Sequence, residues 1–203
     1  MQNSHIAKQQ HIYSNVTGIL LAGGKSRRMG MDKARIEVDG EMLFVRSLSL
    51  LQRHFPTVLI AGDRPDLAQP GVRILPDIYP GSALGGLYTG LKAAQTDWIF
   101  VAPCDMPYPD DRLAKLLLDQ RNGFDAVVPR TPNGYEPVFA AYHRNCLPHM
   151  EEMLRNSQHR IYDFYQRISI RYLDWHQMPD GWERALLNLN HPEQLEMIGK
   201  DSS

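Results

Sequence analysis

The 203-residue chain predicts an α/β fold, an open sheet with helices on both faces. Short, wholly apolar runs alternate along the chain with longer segments whose apolar residues recur at helical spacing. Gly, Pro and Asp punctuate the joins between them. The residues with chemistry to offer cluster just beyond the apolar runs, and sheets of this class bind ligands at the carboxyl ends of their strands.

Taken in order, Val16 to Leu21 reads as a buried first strand that stops at Gly23 and Gly24, where the backbone must turn sharply. Leu43, Phe44, Leu48, Leu51 and Phe55 make one apolar face of a helix over Met42 to Phe55, closed by Pro56. Val58 to Ala61 and Val72 to Leu75 are strands, followed by a helix over Leu84 to Ala94 and a strand over Trp98 to Ala102. Asp110 to Arg121 forms a helix capped by Asp110 or Asp111, and Ala126 to Val128 a strand. Asn133-Gly134 turns tightly into Val138 to Tyr142. A helix over Asn145 to Arg155, a weaker strand near Ile170 to Trp175 and a helix over Pro192 to Ile198 capped by Asn190 complete the pattern.

Apolar residues at 43% and charged residues at 22% supply a full core, and no Pro/Gly/Ser-rich tract interrupts it. We therefore expect a polar tail over residues 1–14 and one domain over 15–203. With 22 basic against 23 acidic residues, the chain lacks the field that general nucleic-acid or acidic-membrane binders use. Cys104 and Cys146 have no CxxC partner, which fits a reducing cytoplasm, and no long apolar stretch marks a secretion signal or a membrane span.

The first strand runs into Leu21-Ala22-Gly23-Gly24-Lys25-Ser26-Arg27-Arg28-Met29-Gly30-Met31-Asp32-Lys33. Free backbone amides in such a loop cradle an anion, and glycine lets the main chain approach phosphate oxygens. Arg28 offers a fork and Lys33 a point charge to neutralise them. The string is neither a Walker A loop nor the GxGxxG dinucleotide fingerprint. Pro103-Cys104-Asp105-Met106-Pro107 puts one carboxylate at the end of a strand, where Asp serves equally to cap the next turn or to hold Mg2+.

The pattern L-A-G-G-x-S-x-R-M-G-x-D-K over Leu21 to Lys33 resembles the signature loop of nucleotidyltransferases that activate small molecules with NTPs. It is most similar to the molybdenum cofactor guanylyltransferases. The resemblance implies a three-layer, doubly wound, mostly parallel (mixed) sheet, the Rossmann-like nucleotidyltransferase fold. It implies transfer of GMP from GTP to the phosphate of molybdopterin, with Mg2+ as cofactor and molybdoenzymes or their chaperones as onward partners.

Carried over residue by residue, the resemblance makes Arg28, Lys33 and Asp105 catalytic, with Asp105 as the metal ligand. Leu21, Ala22, Gly23, Gly24, Lys33, Asp77, Gly85 and Asp105 then bind the nucleotide. Asp77, in Leu75-Pro76-Asp77, suits guanine because N1–H and the exocyclic amine are adjacent donors that a carboxylate or a backbone carbonyl reads. Gly85 lies in the second glycine-rich stretch, Gly81 to Leu87, at a helix start. There the family's usual Pro before the Leu is Ala83, which relaxes a loop without removing a chemical group.

Glu136, in the segment Gly134 to Ala140, and Asn188, in Asn188-Leu189-Asn190-His191-Pro192, resemble acceptor-side positions. Arg155, Arg160, Arg167 and Arg171 read as a basic wall for a phosphorylated acceptor or, more plainly, as a solvated face. Two other functions compete. One is cytidylyl transfer from CTP to molybdopterin or another phosphorylated small molecule, whose enzymes tend to carry L-A-A-G where Leu21-Ala22-Gly23-Gly24 stands here. The other is a guanine-nucleotide sensor or cofactor-delivery protein without catalysis, against which Lys33 and Asp105 speak.

Overall fold

A computed structural model describes residues 13–23 and 32–189 of the chain. Its elements run β1 (Val16–Leu21), β2 (Glu37–Val38), β3 (Glu41–Met42), α1 (Leu43–His54), β4 (Val58–Ala61), β5 (Arg73–Leu75), α2 (Ala83–Ala93) and β6 (Trp98–Pro103). They continue with α3 (Asp111–Asp119), β7 (Ala126–Thr131), β8 (Gly134–Tyr135), β9 (Ala140–His143), α4 (Leu147–Arg155), β10 (Ile170–Asp174) and α5 (Trp182–Ala185).

The main sheet has the order β10-β7-β9-β6-β1-β4-β5, with β8 added to β7. All six residues of β1 are buried, as a strand flanked on both edges and covered on both faces must be. It pairs in parallel with β4, Gly18 opposite Val58, and with β6, Val16 opposite Trp98. β9 runs antiparallel between β6 and β7, and β10 returns parallel to β7. The sheet is thus mixed and mostly parallel, with helices on both sides, as expected.

Period-two alternation divides the core. Val16 and Leu20 of β1 and Phe100 and Ala102 of β6 face a cluster holding Leu48 and Leu51 of α1 and Leu113 and Leu117 of α3. Ile19, Leu21, Ile99 and Val101 point the other way, toward Leu84, Leu87 and Leu91 of α2 and Met150 and Met153 of α4. On the first face Phe100 stacks on Phe55 at 5.8 Å and meets Phe139 edge-on at 5.1 Å, the offset geometries that ring quadrupoles favour.

Several details depart from the expectations. Tyr13, assigned to the tail, packs on the body: its amide donates to the His54 carbonyl at 2.8 Å and its hydroxyl to Asp119 Oδ1 at 2.9 Å. The turn after β7 leads first into β8, and the next strand begins at Ala140 rather than Val138 because residues 136–139 bend, with Phe139 N bonded to the Glu136 carbonyl at 3.3 Å. The β2–β3 hairpin, the 3-10 helix Ile161–Arg167 and α5 are additional elements. The hairpin had a legible signal in Asp39-Gly40, whose φ values of 50° and 77° suit a tight turn. The helix expected over Pro192 to Ile198, with its cap Asn190, lies outside the described residues. No described helix is long and apolar enough to cross a membrane.

Candidate active site

The carboxyl ends of β1, β4 and β6 feed loops that enclose a cleft of ≈310 Å3 beside the start of α2. Leu21, Ala22 and Gly23 form its floor, Lys33 and Arg64 one wall, and Ser82 and Gly86 another. Asp105, Val138 and Asn188 close it. Residues more than 160 positions apart in the chain thereby share one cavity, as the sequence motifs require. Gly24 and Arg28 lie outside the described residues.

Lys33 and Asp105 meet across the cleft, Nζ to Oδ2 at 3.2 Å, with side chains only 17% and 18% exposed. Burial raises the Asp105 pKa above the usual carboxylate range, and the Lys33 ammonium opposes that shift. A largely buried carboxylate of this kind gains from added positive charge. Three His, Cys, Asp or Glu side chains do not converge anywhere among the described residues, so no all-protein metal cage exists there. One hard oxygen donor at the cleft suits Mg2+, which completes its shell with water and substrate phosphates.

Lys33 is aimed by a short chain of contacts. Asp32 Oδ1 accepts from Ala34 N at 3.2 Å and so caps the 3-10 turn Lys33–Arg35. Arg64 holds the other oxygen of Asp32 at 2.5 Å and Asp66 at 2.8 Å. Arg64 was not singled out from the sequence; its position just beyond β4 was the available signal.

Asp77 lies against the cleft floor rather than on the lining itself. A Cβ on Gly23 would stand 2.8 Å from Asp77 Oδ2, so glycine is what lets the carboxylate approach. Asp77 Oδ1 is buried without a hydrogen-bond partner. Burial, with Asp63 adding like charge, pushes its pKa up to about 6. The loop is pinned by Thr89, whose Oγ1 accepts from Ile78 N at 2.9 Å and donates to the Gly85 carbonyl at 2.8 Å.

Gly85 does not line the cleft; a Cβ there would fall 1.8 Å from the Tyr79 carbonyl oxygen, so its place is close helix-to-loop packing. Its neighbour Gly86 forms the wall instead. Ser82 caps α2 by accepting from Gly85 N at 3.1 Å, so Ala83 in place of Pro leaves the helix start intact. Glu136 is half-buried near the same end of the sheet, and burial pushes its pKa up to about 7. Leu189 N donates to the Asp105 carbonyl at 3.1 Å, which brings Asn188 to the cleft. The arginines read as a possible wall follow the plainer account where they are paired: Arg155 bonds Glu151 and Arg167 bonds Glu152, both at 2.8 Å on the surface.

Comparison with known proteins agrees with this geometry. The family model of the MobA-like NTP transferase domain matches residues 18–171. A probable molybdenum cofactor guanylyltransferase of Pelotomaculum thermopropionicum is 34% identical, over 88% of this chain and 89% of the relative. A molybdenum cofactor guanylyltransferase of Vibrio atlanticus is 31% identical, over 89% and 94%. The crystal structure of molybdopterin-guanine dinucleotide biosynthesis protein A from Archaeoglobus fulgidus shares the fold with a TM-score of 0.79 at 20% identity, covering 92% and 98%. With Leu21, Ala22, Gly23 and Lys33 of the signature string lining one cleft with Asp105, and the family model spanning most of the sheet, the chain belongs to the MobA-like NTP transferase family.

Proposed function

We propose that this nucleotidyltransferase transfers GMP from GTP to the terminal phosphate of molybdopterin, releasing pyrophosphate. The observation that carries the reading is the Lys33–Asp105 pair inside the cleft, one cation and one acid brought together from two phosphate-and-metal motifs. The relatives named for guanylyl transfer, each aligned over most of its length, support GTP and molybdopterin as the substrates.

An acceptor phosphate oxygen attacks the α-phosphorus of GTP, and pyrophosphate departs in line. No protein nucleophile is required. The chain's residues align the reactants and stabilise charge. Backbone amides at Gly23 and Gly24 and the side chains of Arg28 and Lys33 bind phosphate oxygens, while Leu21 and Ala22 form the floor. Asp77, behind the floor at Gly23, is the carboxylate we assign to the guanine N1–H and amine. Gly86, rather than Gly85, gives the nucleotide its closest approach to α2. Asn188, on the cleft lining, and Glu136, outside it, are assigned to positioning the acceptor. Asp105 would hold Mg2+, which when bound offsets charge developing on the phosphates.

Two unpaired cysteines support a reducing cytoplasmic setting, and molybdoenzymes or their chaperones are the proposed recipients of the product. The test is a pyrophosphate-release assay with molybdopterin and either GTP or CTP, alongside titration of each nucleotide with Mg2+. Turnover with GTP alone supports the reading. Turnover with CTP assigns cytidylyl transfer, and GTP binding without turnover assigns a sensor.

A further inference from the structure

A second cavity, of ≈550 Å3, opens among β8, β10 and the 3-10 helix Ile161–Arg167, walled by Tyr135, Tyr162, Tyr165 and Tyr172 with Gln158 and Asp163. Tyr135 stacks on Tyr172, centroids 5.0 Å apart at 25°, and meets Tyr165 edge-on at 5.9 Å. The Tyr162 ring stands 6.3 Å from Tyr135. A cluster built only for packing would recess its outer rings; here Tyr135 and Tyr162 remain 39% and 45% exposed at the rim of a concave surface.

The groove lies close along the chain to the nucleotide cleft. Tyr165 and Tyr172 pack with the core on the α2–α4 face, the same face from which Leu21 and Val138 reach the cleft. Tyr135 walls the groove and Val138 the cleft, three residues on, a span of at most about 11 Å of chain. Tyr142 donates to the Pro137 carbonyl at 2.7 Å, which commits its hydrogen, so Tyr165 donates to Tyr142 at 2.8 Å. One hydrogen-bond chain therefore ties the groove wall to the segment that leads into the cleft.

We infer that this tyrosine groove binds the planar pterin of the acceptor while the acceptor's phosphate reaches the cleft, an inference that rests on the guanylyl-transfer reading. Tyrosine faces stack on flat heterocycles, and the Gln158 amide and Asp163 carboxylate offer the donor and acceptors that a 2-amino-4-oxo ring edge requires. On the guanylyl-transfer reading the guanine of GTP lies beside Asp77, which follows β5, on the opposite side of β1 from the groove in the strand order. An acceptor with its phosphate at one end and its rings at the other bridges the two cavities.

The probe is 2-amino-4-oxopteridine, titrated by fluorescence into the wild-type chain and into Y135A, Y162A, Y135F and Y162F, with GTP titrated in parallel. The acceptor KM is then measured with molybdopterin. The alanine variants should bind the pterin roughly ten- to a hundredfold more weakly and raise the acceptor KM, with GTP affinity retained, while the phenylalanine variants keep pterin binding. Y162A removes a ring that is nearly half exposed, which separates loss of stacking from loss of fold. Absence of pterin binding to the wild type, unchanged affinity in both alanine variants, or an equal loss of GTP affinity overturns the inference. Pterin binding that the alanine variants lose, in a wild type that transfers no GMP to molybdopterin, overturns the guanylyl-transfer reading and leaves the groove. Transfer by the wild type with an unchanged acceptor KM in the alanine variants does the reverse.

Discussion

At the scale of single residues, burial disfavours the charge of two carboxylates at and behind the cleft, Asp105 and Asp77. Asp105 is raised by burial despite Lys33, so Asp105→Asn removes a charge the apo fold does not favour. That variant should keep or slightly raise Tm yet lose roughly 10^2- to 10^3-fold in kcat with saturating GTP and Mg2+; near-normal turnover would remove Asp105 from the chemistry. Asp77 carries a pH signature. With a pKa of about 6, it loses its charge, and with it one acceptor for guanine, as the pH falls below about 6. GTP affinity should decline there, and Asp77→Asn should bind more weakly at neutral pH with the titration gone. A wild-type affinity that is flat from pH 5 to 8 excludes Asp77 as the group that reads the base.

At the scale of elements, two adjacent glycines of α2 have opposite expectations. Gly85→Ala places a methyl 1.8 Å from the Tyr79 carbonyl, so the helix or the loop must move, at a cost of about 1–3 kcal/mol or more. At Gly86 a Cβ meets nothing nearer than Leu21 Cδ2 at 3.4 Å, so Gly86→Ala should fold normally and gain up to about 1 kcal/mol of helix propensity. The methyl intrudes on the cleft wall, and GTP binding should weaken. Thermal melts and GTP titration of both variants check the pair; equal stability of the two would refute the packing assignment. This distinction also shows why Gly85 was named from the sequence and Gly86 was not. Gly85 was carried over from the family resemblance, which locates the glycine-rich stretch, but one residue is about 100° of helix rotation and decides which of the two faces the cleft. Long buried strands such as β1 and β6 were legible because every residue in them is apolar or small. The two-residue strands β2 and β3 carry too little period to register, and the 3-10 helix over Ile161–Arg167 has none that resembles an α-helix. Lys33 and Asp105 were legible through motifs. Arg64, Ser82 and Thr89 act through contacts between loops distant in sequence, which no local pattern encodes.

At the scale of the whole molecule, Asp105 on the cleft lining and Asp77 and Glu136 outside it are a source of pH-dependent instability. Each carboxyl has its folded pKa raised by burial, to about 6 for Asp77 and about 7 for Glu136. The unfolded chain therefore gives up protons before the folded one as pH rises. The contribution of Asp77 and Glu136 to stability is full near pH 4, declines through the interval from about 4 to 7 and stays lower above it, whereas the lowered carboxyls of Asp66, Asp110, Asp111 and Asp174 lose their contribution as pH falls. In the proposed binding mode GTP with Mg2+ brings hydrogen-bond donors to Asp77 and positive charge to Asp105, so binding would favour the ionised forms that burial disfavours. At a ligand concentration a hundred times Kd, mass action contributes about 2.7 kcal/mol, or roughly 5–10 °C in Tm for a domain of this size. The Tm gain should grow from pH 5 to pH 8 at fixed ligand concentration, because more of the penalty is then present to be relieved. Differential scanning calorimetry of the wild type and of an Asp77→Asn, Glu136→Gln double variant tests this. The double variant should melt higher than the wild type at pH 8 without ligand, and its apo stability should vary less with pH; a ligand-induced Tm gain independent of pH in the wild type would show that these carboxyls are not coupled to nucleotide binding.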